Sequence, residues 1–252
     1  GASLAEAELS LAVFERCGFA RADLTSARAE RARFEECNFE DATISQCYLR
    51  ETRWTRSALP RANLVESDLG SSTWRGCKLD EADLGKASLE QAIFGDCSLA
   101  DAWLEGGVRA ARAKFDGCEA PLLRASEGAD FEGASFRKAV LDGARFSQAK
   151  LRGANFALAQ LSRADFSEAF LMEAQMMGCD LRMARFDGAS LVKASLLKSN
   201  LMQARFEGAN LRFADLRGCN LFQAELFDAK LDDARLDMAD LGGTRLGGTR
   251  TA

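Results

Sequence analysis

An all-β solenoid built from four-sided coils is the fold class this sequence predicts, and three observations predict it. A small residue, a polar residue, a Leu or Phe and two mostly polar residues recur every five positions, as in Ala154-Asn155-Phe156-Ala157-Leu158. Five fits neither the period of an amphipathic helix nor that of a strand, and the large residues do not alternate by three and four as a heptad requires. Large residues of one kind also return every twentieth position: Phe14, Phe34, Trp54, Trp74 and Phe94 are all aromatic. A beat of five within a superperiod of twenty describes a coil with four short sides. Each side buries one small and one large residue before it turns, and stacked coils share a continuous core.

From Leu4 to Leu104 a large residue, the centre of its phrase, falls at every fifth position, and only Ala29 is undersized. Two residues before each centre stands Ala, Cys, Ser or Thr. Between Gln46 and Arg75 the pattern is looser, with Thr52, Ser57, Ser67 and Ser72 in the small positions and Pro60 after a centre. The beat falters between Glu105 and Gly128, where Gly106-Gly107, Arg109 and Pro121 lie and Phe115 comes one residue late. It resumes two residues late, from Phe131 to Leu246, and here Phe146, Phe166, Phe186 and Phe206 again lie twenty apart. If each one-residue slip leaves the faces unchanged, Cys17, Cys37, Cys77, Cys97, Cys118, Cys179 and Cys219 share one column and only Cys47 lies elsewhere. The aromatic column then runs on through Phe115 and Phe136. The sequence therefore reads as a single continuous solenoid over residues 1–252, with two bulge-like insertions or a small loop at about 105–128. Coils stacked at strand spacing rise about 4.8 Å each, so about twelve coils make a rod roughly 55–60 Å long.

The A(D/N)LXX arrangement of Ala22-Asp23-Leu24, Ala62-Asn63-Leu64, Ala82-Asp83-Leu84, Ala209-Asn210-Leu211 and Ala214-Asp215-Leu216 resembles the pentapeptide-repeat family, over essentially the whole chain. The resemblance implies a right-handed quadrilateral parallel β-helix with four phrases per coil. It also implies two kinds of task. Some relatives are modules of bacterial proteins, including adaptors that load effectors for type VI secretion. Others are DNA-mimicking gyrase inhibitors or protectors, which present a strongly acidic rod.

Composition narrows the chemistry. There is no His, which removes the commonest general base and imidazole ligand. A net charge of −5 gives no support to direct nucleic-acid binding. Nothing reads as a membrane span or signal peptide, and the start at Gly1 without Met suggests a tag remnant or an excised domain boundary. Eight Cys in a chain of this length fit a reducing cytoplasm better than a disulfide framework. Stacked cysteines point their Cβ atoms in parallel, which is poor disulfide geometry, and no Cys spacing suggests zinc. They read as slightly larger alanines. The closest acidic pairs, Asp232-Asp233, Glu35-Glu36 and Glu40-Asp41, read as solvated faces, because a catalytic pair needs a cleft. The serines lack a His partner, and Gly133, Gly143 and Gly153 sit where corners demand them. The expectation is no catalytic, cofactor-binding or metal-binding residue, no cofactor, and no enzymatic activity.

What remains is the outer surface. Residues 1–104 carry 12 basic and 18 acidic side chains, whereas the second half shows apolar residues where solvent is expected. These are Phe170, Met172, Met177, Val192, Leu197, Met202, Phe222 and Phe227. By the twenty-residue count Met172 stacks on Val192, Met177 on Leu197 and Met202 on Phe222, an apolar seam of the kind that marks partner surfaces. Tyr48 and Trp103, each just before a centre, also point outward. The expected function is a protein–protein interaction scaffold or adaptor with an unidentified protein partner, such as a secretion effector or a preceding domain. The alternative is gyrase binding by DNA mimicry, against which the near-balanced charge counts. The terminal run from Leu241 is still on the beat, so a partner domain or second subunit is expected over an end, and a homodimer through an end or the seam fits the pattern.

Overall fold

The computed structural model describes residues 2–245, and the terminal run from Leu246, with its expected cover, lies outside them. The chain winds as a right-handed quadrilateral parallel β-helix. Four sides recur. Side 1 passes through the centres Leu4 and Leu24, side 2 through Leu9 and Ala29, side 3 through Phe14 and Phe34, and side 4 through Phe19 and Phe39. Three-residue strands occur only on side 3: β1 (Val13–Glu15), β2 (Arg33–Glu35), β3 (Arg53–Thr55), β4 (Thr73–Arg75) and β5 (Ile93–Gly95). They pair in parallel in the order β1-β2-β3-β4-β5. Regular sheet thus spans four coil-to-coil steps, far fewer than the about twelve coils expected for the rod. Elsewhere single-residue bridges carry the stacking. On side 1 these run Ser3, Asp23, Thr43, Asn63, Asp83, Trp103, Arg124, Arg145, Asp165, Arg185, Arg205, Glu225, Arg245.

The corner explains the beat. The Leu4 carbonyl accepts the Ala7 N–H at 3.1 Å, closing a four-residue turn around Ala5 and Glu6, and φ at Glu6 is +59°. A positive φ at the third residue is what a type II turn requires. It recurs at the second residue after every centre, at Leu11, Arg16, Arg21 and onward to Met238, mostly on residues other than Gly. The cost of each left-handed residue, about 1–2 kcal/mol, is offset by the core. Among the described residues the phrase buries its small and large members almost completely from Ala22 to Leu231, whereas Leu4, Leu9, Phe14 and Phe19 in the first coil are only partly covered.

The faltering stretch is resolved by register. Bridges span twenty residues up to Asp83↔Trp103, twenty-one from Ser88↔Arg109 to Arg124↔Arg145, and twenty again from Asp130↔Lys150. One residue is therefore inserted after Leu104 and one after Ala125, at the same corner of successive coils. Each insertion doubles the left-handed position: Gly106-Gly107 have φ +67° and +87°, and Glu127-Gly128 have +55° and +79°. Two such residues in succession are tolerated readily only where Gly supplies at least one.

The columns stack as rings. Phe14, Phe34, Trp54, Trp74, Phe94, Phe115, Phe136 and Phe156 follow one another on side 3 at 4.1–5.5 Å between centroids, nearly parallel. On side 1 Phe146, Phe166, Phe186 and Phe206 do the same. A buried indole needs an acceptor for its N–H. Trp54 Nε1 donates to Thr52 Oγ1 at 2.9 Å and Trp74 Nε1 to Ser72 Oγ at 2.8 Å. Ser57 and Ser67 serve the corners instead. Ser57 Oγ donates to the Phe34 carbonyl and accepts the Cys37 N–H, so the hydroxyl stands where that turn would otherwise close on itself. Ser67 bridges Ile44 and Cys47 in the same way, and Ser199 bridges Met176 and Cys179.

Candidate interaction surface

The buried thiols are seated on the backbone of the core. Cys37, Cys47, Cys118, Cys179 and Cys219 donate to carbonyls one coil below, at 2.9–3.4 Å. Burial pushes the Cys47 and Cys219 thiols up to about 11 and Cys179 up to about 12, away from the reactive thiolate. Among the described residues no group of His, Cys, Asp and Glu is arranged to hold a metal ion. Among these residues no helix is long and apolar enough to cross a membrane.

The corners are wired by ion pairs between neighbouring coils. Arg61 reaches Glu40 at 2.6 Å and Asp41 at 2.8 Å, Arg56 reaches Glu35 at 2.7 Å and Glu36 at 2.9 Å, and Arg31 reaches Glu51 at 2.9 Å. The Arg61 hydrogen bond and charge hold the Asp41 carboxyl below its usual range. Exposed pairs of this kind add little stability. They do mix the two signs of charge along the rod. Tyr48 and Trp103 carry guanidiniums over their rings: Arg28 at 5.0 Å and Arg124 at 4.5 Å, the latter also paired to Asp101 at 2.9 Å. Both aromatics thus lie exposed beside a cation.

The eight apolar residues of the second half do not form one seam, because they occupy different sides. Met172 and Val192 stack at the corner between sides 2 and 3, where the Glu173 N–H bonds the Val192 carbonyl. Met177 and Leu197 stack at the corner between sides 3 and 4, where the Gly178 N–H bonds the Leu197 carbonyl. Phe170, 56% exposed, lies on side 2 two residues from Met172. Met202 and Phe222 stack at the corner between sides 4 and 1, and Phe227 lies at the next corner. The structure therefore brings Met172, Val192, Met177 and Leu197 to the two edges of side 3, leaves Phe170 on side 2 beside the first pair, and sends Met202, Phe222 and Phe227 elsewhere.

Sequence reasoning missed two members of these ridges. Leu158, 55% exposed, lies against Gly178, where a Cβ would come within 3.0 Å of its Cδ2, and so it extends the Met177–Leu197 stack downward. Phe213 continues the Met172–Val192 corner upward and is half-exposed beside Arg212. Both occupy the left-handed corner position, with φ +64° and +59°. A large apolar side chain at a site that favours Gly was the available signal. Between the ridges side 3 presents Gln175 and Ser195, with Glu173 and Lys193 at the intervening corner and Arg152, Arg212 and Arg217 around the rim.

The chain matches the family model described as pentapeptide repeats (8 copies) over residues 1–35, 127–156, 154–191, 184–223 and 209–248, and that described as pentapeptide repeat region over residues 27–104. No curated protein matches it. Among solved structures it is similar to HetL, a pentapeptide repeat protein involved in heterocyst differentiation regulation from the cyanobacterium Nostoc sp. strain PCC 7120. That similarity is 24% identity over 96% of this chain and 88% of the other, with a TM-score of 0.30. A pentapeptide repeat protein of the Arabidopsis thaliana thylakoid lumen is 32% identical over 38% of this chain and 64% of its own, with a TM-score of 0.30. QnrB1, a plasmid-mediated fluoroquinolone resistance protein, is 20% identical over 97% of this chain and 91% of its own, with a TM-score of 0.28.

Proposed function

The chain belongs to the pentapeptide-repeat family, and we propose that it is a non-enzymatic scaffold that docks a protein partner along side 3. The observation that carries this reading is the pair of apolar stacks on the two edges of side 3, Met172–Val192 with Phe170 and Phe213 near it and Met177–Leu197 with Leu158 below it. Half-buried and exposed apolar residues held on a rigid frame lose little entropy on binding, and adaptable Met side chains suit a partner surface. In its finer form the proposal is an adaptor module in the bacterial cytoplasm, supported by cysteines seated as buried thiols on carbonyls. Effector loading for type VI secretion is the specific task that the family resemblance offers. Gyrase binding by DNA mimicry calls for an unbroken acidic stripe, and the mixed-sign corners speak against it.

The test is a pair of double variants in co-purification from the native host. Met177→Glu with Leu197→Glu should abolish partner capture at an unchanged thermal midpoint, whereas Met202→Glu with Phe222→Glu, on another corner, should leave it intact. Retained capture in the first variant would remove side 3 as the docking surface. A supercoiling assay separates the alternative, since inhibition or protection of gyrase would favour mimicry.

A further inference from the structure

The outer face of β3 and β4 carries a second kind of site. Their parallel pairing sets Arg53 opposite Thr73 and Thr55 opposite Arg75, while Trp54 and Trp74 between them point into the core. The four outward residues therefore mark a rectangle about 4.8 Å across the strands and about 6.6 Å along them. The arginines lie on one diagonal and the hydroxyls on the other. Arg33 on β2 stands in register with Arg53. A shallow depression of about 370 Å³ is lined by Arg53, Trp54, Thr55, Thr73 and Arg75, with no carboxylate in its wall.

This arrangement is costly unless something neutralises it. Like charges directly opposite one another on paired strands destabilise the sheet. Residues 1–104 hold 18 acidic side chains to 12 basic ones, and the neighbouring Arg31, Arg56 and Arg61 are each paired with carboxylates. Yet among the described residues Arg33, Arg53 and Arg75 form no ion pair within 4.0 Å. Glu35, two residues along β2 from Arg33, turns instead to Arg56 at 2.7 Å. In the acidic half of the rod, one patch is left with arginines that no carboxylate answers.

We propose that this patch binds a phosphate group as the dianion. Two guanidinium forks approach from opposite corners, and a carboxylate, with one charge and two oxygens, satisfies only one fork. A phosphate monoester carries a charge of about −1.5 to −2 and three acceptor oxygens, which matches two arginines and two hydroxyl donors. The strands that hold these groups are fixed by stacked indoles, so the spacing of the residues that carry the donors is set before the ligand arrives. The phosphate can be free or can be borne by a modified Ser or Thr of a partner segment, and both sources share this chemistry.

Fluorescence anisotropy with a labelled phosphoserine peptide, its Ser and Glu counterparts, and inorganic phosphate as competitor tests the site. The phosphopeptide should bind at least ten-fold more tightly than the Glu peptide, and inorganic phosphate should displace it. Arg53→Gln with Arg75→Gln should weaken binding at least ten-fold while the unfolding midpoint stays level or rises, because repulsion is relieved. Phosphate that binds through Arg53 and Arg75 with no gain from the peptide assigns the site to the free anion. Equal binding of the Glu peptide, equal binding by the double variant, or no binding of either phosphate probe overturns the proposal.

Discussion

Replacing Thr52 by Val removes one hydroxyl from the middle of the core and leaves shape and volume almost untouched. Thr52 and Trp54 are essentially inaccessible to solvent. The hydroxyl accepts Trp54 Nε1–H at 2.9 Å and donates to the Leu49 carbonyl at 2.7 Å. In the variant the carbonyl still has the backbone N–H of residue 52, which already donates to it at 3.3 Å, but among the described residues the indole N–H has no second acceptor. A buried donor left unmatched costs about 1–3 kcal/mol. In a chain of this length each kcal/mol lowers the unfolding midpoint by roughly 2–4 °C. Trp54→Phe removes the donor and introduces its own packing loss, so the informative quantity is the coupling in a double-mutant cycle. Thr52→Val should cost little in the Trp54→Phe background, giving a coupling of about 1–2 kcal/mol. Urea unfolding followed by far-ultraviolet circular dichroism measures all four corners of the cycle. An equal cost of Thr52→Val in both backgrounds would refute the assignment of that hydroxyl to the indole.

Three further outcomes follow from the corners and the thiols. Gly188 has φ +67° and only ordinary contact with Glu168 at the position of a Cβ, so Gly188→Val should destabilise by about 1–2 kcal/mol through backbone strain alone. At Met183, with φ +59°, the change to Gly should instead raise the thermal midpoint, by somewhat less because Gly also loosens the unfolded chain. Cys47, Cys179 and Cys219 have folded values raised from the ordinary 9.0 to about 11, 12 and 11. Their contribution to stability is complete below pH 9 and is lost as pH rises toward 11–12, because the unfolded chain ionises first. The slope is on the order of 1.4 kcal/mol per pH unit per thiol. The Cys47→Ala, Cys179→Ala, Cys219→Ala variant should lose most of that slope in urea midpoints measured from pH 8 to 11, and an unchanged slope would contradict the burial.

The fold was legible because every phrase repeats the same inside–outside decision, and Trp54 over Trp74 is readable at a spacing of twenty before any coordinate is known. The hydroxyls were legible only as irregularity. Thr52 and Ser72 look like weak substitutes for Ala until the indoles two residues on require an acceptor. Ser57 and Ser67 make sense only when a carbonyl from the coil below is brought to them. The partner surface was legible in pairs and not as a whole. A vertical stack such as Met177 and Leu197 follows from the count of twenty, whereas Met202 lies round a corner from them, and a list of exposed residues does not say which share a side. Arg53 and Arg75 carried no signal, because charged residues are expected outside and only the pairing shows that no acid answers them.

The four-sided register has a consequence for how such a rod can be rebuilt. Core positions on all four sides accept the same small and large residues, so the stack responds to length in quarter turns. Loss or gain of twenty residues shortens or lengthens the rod and leaves each surface on its own side. Loss or gain of five keeps the core just as full but rotates everything above the change by 90°. The arginine and threonine rectangle of β3–β4 and the Met177–Leu197 ridge share a side because a whole number of coils separates Trp54 from Met176. The stacked insertions after Leu104 and Ala125 do not disturb this, since each adds one residue and no phrase. A one-phrase deletion between Phe136 and Phe156 would fold as well and aim the ridge at a different neighbour.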